Sequence, residues 1–434
     1  MKLHFRAWLV GATAASVLGL LAPAVFSAEA YPPTAAAVSA QPSSAKVMRA
    51  AYLAFVQDSI VPADSRVVGA AALRVLAPGQ DVVLPGTFGR EVSQDADWLA
   101  ARAGDLPSPW PVVDAMARAA GIVHLALVTP ARRQGLRALG TGEPLSSPGF
   151  NLYPLADGRL IVCDVVAGAS AETSGLRPGD VLEEVDGRRA VRVDPLFITT
   201  LPAGTAVTLK INRGDGPATL VLHLIKADVS PVEGRLLDDG NAYVRVRWFA
   251  RSANPAHDTA ALFRRTLQAL LDQGARGLVL DLRSALGGSG EVNMASALCD
   301  GEIIYAMRKP LTAPARPAPR EGARFWPDRP IAILQNRNTT SAGEALTLAL
   351  RELGHATVVG ETSGGGLTEF DFVPLAEGHG VIIPRGVVLG PVSGQCPADY
   401  AIKPDLEVSN PGIEELLSGR DRQLEAARAA LRPR

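Results

Sequence analysis

The sequence predicts an α/β core interrupted by a β-rich module and preceded by a helical region, on three observations. From about residue 229 onward, apolar strand-like runs alternate with helical patterns, the arrangement of an α/β fold. Residues 146–228 switch to short β-type runs separated by Gly, Pro and Asp turns. Residues 31–145 carry apolar side chains at helical spacing. With 434 residues, 47% of them apolar, the chain is long enough for two or three domains with packed cores that need no disulfide support. Its 43 Lys and Arg balance 44 Asp and Glu for a net charge of -1, which excludes a basic nucleic-acid binder and an acidic disordered tail.

The elements follow in order. Lys2 and Arg6 precede an uncharged run from Ala7 to Ala28, followed by Ala28-Glu29-Ala30. This predicts a secretory signal over residues 1–30 and an exported protein, periplasmic or secreted; an uncleaved anchor is the alternative, since the run approaches the ~18 residues that span a bilayer. Export implies an oxidising compartment. Three cysteines, Cys163, Cys299 and Cys396, leave at least one outside any intrachain disulfide. A Cys299–Cys396 bridge is open, and Cys163, in an apolar run, reads as a buried thiol. No Cys/His cluster has zinc spacing, so no metal is expected.

Val47, Ala50, Ala51, Leu53, Ala54 and Phe55 form one helical face, and residues 112–120 repeat the pattern after Pro111. In the module the expected strands are residues 160–166, 181–185, 206–211 and 219–225. In the core they are strand 243–249, helix 259–273, strand 277–282, helix 292–298, strand 331–334 and helix 341–353. Six prolines between residues 309 and 330 mark a surface loop, and residues 411–434 read as a charged terminal helix.

The stretch Ala167-Gly168-Ala169-Ser170-Ala171-Glu172-Thr173-Ser174-Gly175-Leu176-Arg177-Pro178-Gly179-Asp180-Val181, continuing to Asp186-Gly187, closely resembles the centre of bacterial PDZ domains. It reads as a short helix closed by Gly175, a Pro178-Gly179 turn, and a strand ending in a hairpin turn. The resemblance places Gly149, Phe150, Asn151 and Leu152 as the loop whose backbone N–H groups receive a peptide's terminal carboxylate, with the peptide adding as a strand at the module's edge. The alternative is that Gly149 only makes a turn and the module is a spacer.

A strand at residues 331–334 runs into Ser341-Ala342-Gly343-Glu344. A serine at a strand-to-helix turn can act as a nucleophile, because the helix N-terminus favours negative charge developing beside it. Ser341-x-x-Glu344 is equally a capping box. Two further segments bear on the choice: Leu280-Asp281-Leu282-Arg283-Ser284-Ala285-Leu286-Gly287-Gly288, and Val359-Gly360-Glu361-Thr362-Ser363-Gly364-Gly365-Gly366. With the PDZ-like insert, these resemble in order the tail-specific, or carboxyl-terminal processing, serine protease family, whose core is the spiral α/β fold of the Clp protease and crotonase group. The resemblance implies Ser341 as nucleophile, the N–H groups of Ala342 and of Gly287 or Gly288 as oxyanion hole, and no cofactor. Ala285 and Leu286 depart from the family's Asn-Pro before the glycine pair.

Members with a Ser/Lys dyad carry the lysine at the position of Gly366. The glycine ending is similar instead to the branch containing the tricorn core protease, the chlamydial secreted protease and the retinoid-binding protein of the photoreceptor matrix, whose proteases use Ser, His and an acid. Their histidine lies upstream of the PDZ domain, which points to His124 in Gly121-Ile122-Val123-His124-Leu125 as general base; read alone, a histidine in an apolar run is more often a core residue. Their acid precedes a closing strand, expected here at residues 401–405. The count lands on Ala398, beside Asp399, which is the candidate acid or else an exposed loop residue. Glu344 and Glu361 read as structural. The implied function is an exported serine endopeptidase whose PDZ domain captures polypeptide C-termini. Its partners are polypeptides, without nucleic acid or metal, and a homo-oligomer is left open. The alternatives are a catalytically inactive peptide- or ligand-binding protein of the same fold and, third, a crotonase-like acyl-CoA enzyme.

Overall fold

The computed structural model describes residues 43–104, 106–142, 148–155, 157–190, 203–226, 229–306, 316–317 and 322–432. The expected signal segment lies outside them. Among the described residues no helix is long and apolar enough to cross a membrane.

Four α-helices, Ser44–Leu53, Ser65–Leu76, Val92–Ala103 and Trp110–Ala120, come first among the described residues. Asp64 starts the second by accepting from the N–H groups of Arg66 (2.8 Å) and Val67 (3.0 Å), two donors with no carbonyl inside the helix. Their apolar faces bury Met48, Tyr52, Val68, Leu99 and Met116, with Phe55 from the π-helical turn after the first helix, together with Leu125, Leu127, Val381 and Ile383. The helical region therefore packs on a sheet from the far end of the chain. Strand β1 (Ala126–Val128) enters that sheet directly, and the helix Pro130–Thr141 leads on to the module.

The module comprises β2 (Phe150–Pro154), β3 (Leu160–Val165), β4 (Val181–Val185), β5 (Arg188–Arg189), β6 (Ala206–Arg213) and β7 (Gly216–His223), ordered β2-β3-β4-β6-β7 with β5 on β4. Exposed and buried residues alternate along β6, so the sheet covers one core, lined by Val162, Leu182, Leu209, Ile211 and Leu222. Asp186 and Gly187 both take positive φ (47° and 72°), the hairpin turn the sequence predicts. One expectation is corrected: Phe150, Asn151 and Leu152 are not loop but the edge strand β2, drawn into the ladder with β3. Gly149 alone keeps a turn conformation.

The core contains β8 (Val232–Leu236), β9 (Ala242–Val246), β10 (Trp248–Phe249), β11 (Leu278–Asp281), β12 (Leu286–Gly288), β13 (Ile304–Ala306), β14 (Arg316–Pro317), β15 (Ile331–Gln335), β16 (Thr357–Gly360), β17 (Thr368–Pro374), β18 (Gly380–Leu389) and β19 (Leu406–Glu407). The central sheet runs β19-β16-β15-β11-β9-β8, parallel except for β8. On one face Val244, Leu280 and Ile333 pack in a core with residues of the helices Thr259–Asp272, Glu291–Leu298 and Ala342–Leu353. On the other, Tyr243, Val279, Leu334 and Val359 meet Ala427 and Leu431. Burial on both faces explains why these strands read as continuous apolar runs. The sequence reading had no counterpart for the antiparallel sheet β1-β18-β13-β14, in which β17 pairs with β18.

Three further expectations change. The terminal helix is two, Ile413–Ser418 and Arg422–Ala430, because Gly419 turns left-handed (φ 72°) and Asp421 caps the second. The closing strand is β19, beyond Pro404, whose ring offers no N–H to a ladder. Cys163 is half-buried, its thiol donating to the Asn151 carbonyl (3.3 Å); the Cys299–Cys396 bridge, which the sequence left open, is not formed.

Candidate active site

Parallel strands bring their C-terminal ends to one edge of the sheet, where open α/β folds place their sites. The loops leaving β11, β15 and β16 meet there and are sewn together by buried polar bonds. Thr339 Oγ1 donates to the Leu282 carbonyl (2.8 Å), Ser284 N–H to Asn336 Oδ1 (3.0 Å), Gly364 N–H to the Thr339 carbonyl (2.9 Å), and Gln335 Nε2 to the carbonyls of Glu361 (2.9 Å) and Ile402 (2.8 Å). Below them lies an ionic cluster. Asp281 binds Arg283 (2.6 Å) and accepts from the Tyr243 hydroxyl (2.7 Å), while Arg283 also binds Asp421 (2.7 Å). Burial alone would raise Asp281, but the Arg283 guanidinium outweighs it and holds the carboxyl well below the usual carboxylate range.

Ser341 ends this run with φ 54° and ψ −117°, a conformation that costs a non-glycine residue about 1–3 kcal/mol and persists only where its surroundings enforce it. The enforcement comes from Glu344, fully buried one turn into the helix. Its Oε2 accepts from the N–H groups of Ser341 (2.8 Å) and Gly366 (2.7 Å), and its Oε1 from Gly365 N–H (2.9 Å) and the Ser363 hydroxyl (2.5 Å). Burial pushes Glu344 up to about 7 against those four donors. The capping box is thus half used: Glu344 reaches back, but the Ser341 side chain makes no cap hydrogen bond. A Cβ at Gly366 would lie 3.0 Å from Glu344 Oε2, 3.1 Å from the Ser341 nitrogen and 3.2 Å from Val123 Cγ1, so the glycine loop, the serine turn and the segment before His124 converge on one point.

His124 occupies a turn just before β1, with φ 64° and its side chain fully buried. Its Nδ1 lies 2.7 Å from Thr368 Oγ1, and the ring centroids of His124 and Phe370 are 5.2 Å apart. Asp399 takes the exposed-loop place that the sequence left as its alternative. Its backbone reaches the glycine loop, the carbonyl oxygen lying 3.1 Å from where a Gly365 Cβ would be, but its side chain is exposed, and Nδ1 meets a threonine hydroxyl instead. The left-handed backbone at Asp399 and Tyr400 (55° and 56°) carries the chain through this turn.

Ala342 is the first residue of the helix Ala342–Leu353, whose leading N–H groups have no intrahelical acceptor. Gly287 and Gly288 lie in β12, beside β10. A side chain at Gly288 would place its Cβ 1.8 Å from the Phe249 carbonyl oxygen, so glycine is required there for close packing. The serine turn abuts this loop through Thr340 N–H to the Ala285 carbonyl (3.4 Å). Glu291, two residues past Ser289, is buried and pushed up to about 7 by desolvation.

The module docks on the same edge. Asn338 Nδ2 donates to the Leu152 carbonyl on β2 (2.7 Å), and Asp164 on β3 pairs with Arg245 (3.1 Å) and Arg247 (3.3 Å). Gly149 has φ 74°, and a Cβ there would lie 2.0 Å from that of Ala169.

Comparison with known proteins now decides the family. Residues 240–408 match peptidase family S41 and residues 141–212 match the PDZ domain. The chain is 32% identical over 319 residues to the carboxyl-terminal-processing protease of Synechocystis sp., covering 69% of this chain and 71% of that one. The chain belongs to peptidase family S41. It is a serine-type peptidase of the carboxyl-terminal-processing group. It is also 29% identical over 274 residues to the chloroplastic carboxyl-terminal-processing peptidase 2 of Arabidopsis thaliana, covering 58% of this chain and spanning about half (52%) of that relative's length. The solved photosystem II D1 C-terminal processing protease shares the fold, with a TM-score of 0.52 at 22% identity over 80% of this chain and 93% of that one. The sequence reading did not single out Thr368, Phe370 or Asn338, which the structure places against His124 and β2. It also undervalued Glu344, whose signal was its place in the capping box.

Proposed function

We propose that this S41 peptidase is an exported endopeptidase that acts near the C-termini of polypeptides, with Ser341 as nucleophile and His124 as general base. The observation that carries this reading is Ser341 itself: a strained backbone at a helix N-terminus, enforced by a buried carboxylate, with the hydroxyl withheld from the cap and the His124 turn alongside. His124 Nε2 takes the Ser341 proton as Oγ attacks the scissile carbonyl. The N–H groups of Ala342 and of Gly287 or Gly288 hold the oxyanion, and the imidazolium returns the proton to the amine nitrogen as the C–N bond breaks. Water, deprotonated by the same imidazole, then releases the acyl group. No cofactor enters. An extended C-terminus adds along β2, with its carboxylate at the turn of Gly149.

The test is cleavage of an unfolded protein and of peptides with free or amidated C-termini by the full chain and its Ser341→Ala and His124→Ala variants. Cleavage that falls to background in the first, drops strongly in the second and favours the free carboxylate supports the proposal. Folded wild-type protein that binds the peptides and cleaves none overturns it in favour of a binding protein of the same fold.

A further inference from the structure

We infer that Thr368 is the positioning residue of the catalytic histidine, a place the sequence assigned to a carboxylate; the inference rests on His124 being the base. A histidine can take a proton at Nε2 only if its other nitrogen carries one, and a partner at Nδ1 selects that tautomer and holds the ring. In this chain the partner is a hydroxyl: Thr368 Oγ1 lies 2.7 Å from Nδ1, between two buried side chains. Nδ1–H donates to Thr368 Oγ1, and Nε2 keeps its lone pair for the Ser341 proton.

Three features make this a built arrangement. Thr368 and Phe370 are two apart on β17, across a bulge in its ladder with β18, and both meet the ring: the hydroxyl at the imidazole edge, and the phenyl ring packed against it, 5.2 Å between centroids. Thr368 follows the glycine loop by two residues, and that loop is bonded through Gly365 and Gly366 to Glu344, the same carboxylate that holds Ser341. The two reacting side chains are therefore referenced to one anchor. Finally, the two carboxyl groups at the glycine loop are placed elsewhere. The oxygens of Glu344 face four donors, and the Asp399 side chain is exposed. A neutral hydroxyl orients the ring but adds no negative charge, so its removal should cost far less than loss of a triad carboxylate.

The experiment compares Thr368→Val, Thr368→Ser and His124→Ala in the full chain, by steady-state cleavage and by 15N spectra of the histidine side chains. Thr368→Val keeps shape and removes the acceptor. The expected result is a kcat lower by about tenfold, the scale of one neutral hydrogen bond, with KM unchanged. Thr368→Ser recovers kcat, and the His124 spectrum moves away from the Nδ1-protonated tautomer in the valine variant only. Wild-type kcat in Thr368→Val beside a crippled His124→Ala overturns the positioning role while leaving the base intact. Equal losses in the valine and serine variants, both folded, overturn it as well, since they would report packing and not the hydroxyl. Wild-type kcat in His124→Ala removes the base and the inference together.

Discussion

The serine turn and the edge of the PDZ domain face each other across the Asn338–Leu152 hydrogen bond, and they are built on opposite principles. Around Ser341 the backbone itself is bonded: N–H groups from the turn and the glycine loop converge on one buried carboxylate, and a methyl group at Gly366 would press on Glu344 Oε2 (3.0 Å) and the Ser341 nitrogen (3.1 Å). The PDZ domain is held to the core by side chains, chiefly Asn338 and the pairing of Asp164 with Arg245 and Arg247. With Ser341 as the proposed nucleophile, a strained backbone persists only in a surrounding that cannot relax, whereas a domain seated through side chains can be altered without disturbing that turn. The difference teaches that chemistry and capture should respond to separate substitutions.

The sharpest break is Ser341→Ala, expected to lower kcat by about a thousandfold or more while the affinity for C-terminal peptides, read by fluorescence anisotropy, stays put. Next come two aspartates that both pair with arginine. Asp281→Asn, at the floor of the serine edge, leaves Arg283 with only one of its two carboxylate partners in a closed interior and should cost about 3 kcal/mol in chemical denaturation. Asp164→Asn, at the seam between the PDZ domain and the core, should leave that global transition in place and change KM. Equal losses of global stability in both would erase the distinction.

Stability against pH probes the anchor. The folded value of Glu344, about 7, lies above its ordinary 4.5, so the folded state keeps this proton longer; the stabilisation is complete below about 4.5 and is lost as pH rises through about 7. Glu344→Gln should flatten that fall by up to about 3 kcal/mol, at 1.36 kcal/mol per pH unit, leaving the share of Glu291, which shifts in the same direction. Gly366→Ala should lower kcat by roughly ten- to a hundredfold with little change in KM, since it displaces the serine turn and not the peptide edge. The smallest effect is at the hinge of the comparison. Asn338→Ala frees the Leu152 carbonyl for an added strand and should lower KM by about threefold, within the scale of one hydrogen bond.

How much of this was legible in the sequence follows the same division. The core strands announced themselves because both faces are buried, giving unbroken apolar runs, and the PDZ turns because Gly175, Pro178-Gly179 and Asp186-Gly187 are local signals. Ser341 stood out by its place between strand and helix. The edge strand β2 was read as loop because Gly149 and Pro148 dominate its beginning, while its pairing to β3 is tertiary. Thr368 could not be found from spacing: its partner is His124, far away in the chain, and nothing in Leu367-Thr368-Glu369-Phe370 marks a hydroxyl that meets an imidazole. Asp399 was reached by counting back from an expected strand with an exposed loop as its alternative, and spacing alone could not choose between them, because the side chain's direction is set by a turn through two left-handed residues.

The central claim is that Ser341 is a nucleophile driven by His124. Its most direct measurement is the rate of fluorophosphonate labelling of the full chain, with the modified residue located by peptide mass mapping, in the presence of a hydrophobic C-terminal peptide. The account predicts a single label on Ser341, absent in Ser341→Ala and slowed by about a hundredfold or more in His124→Ala. A folded wild-type chain that takes no label under those conditions, or labels elsewhere, would contradict it.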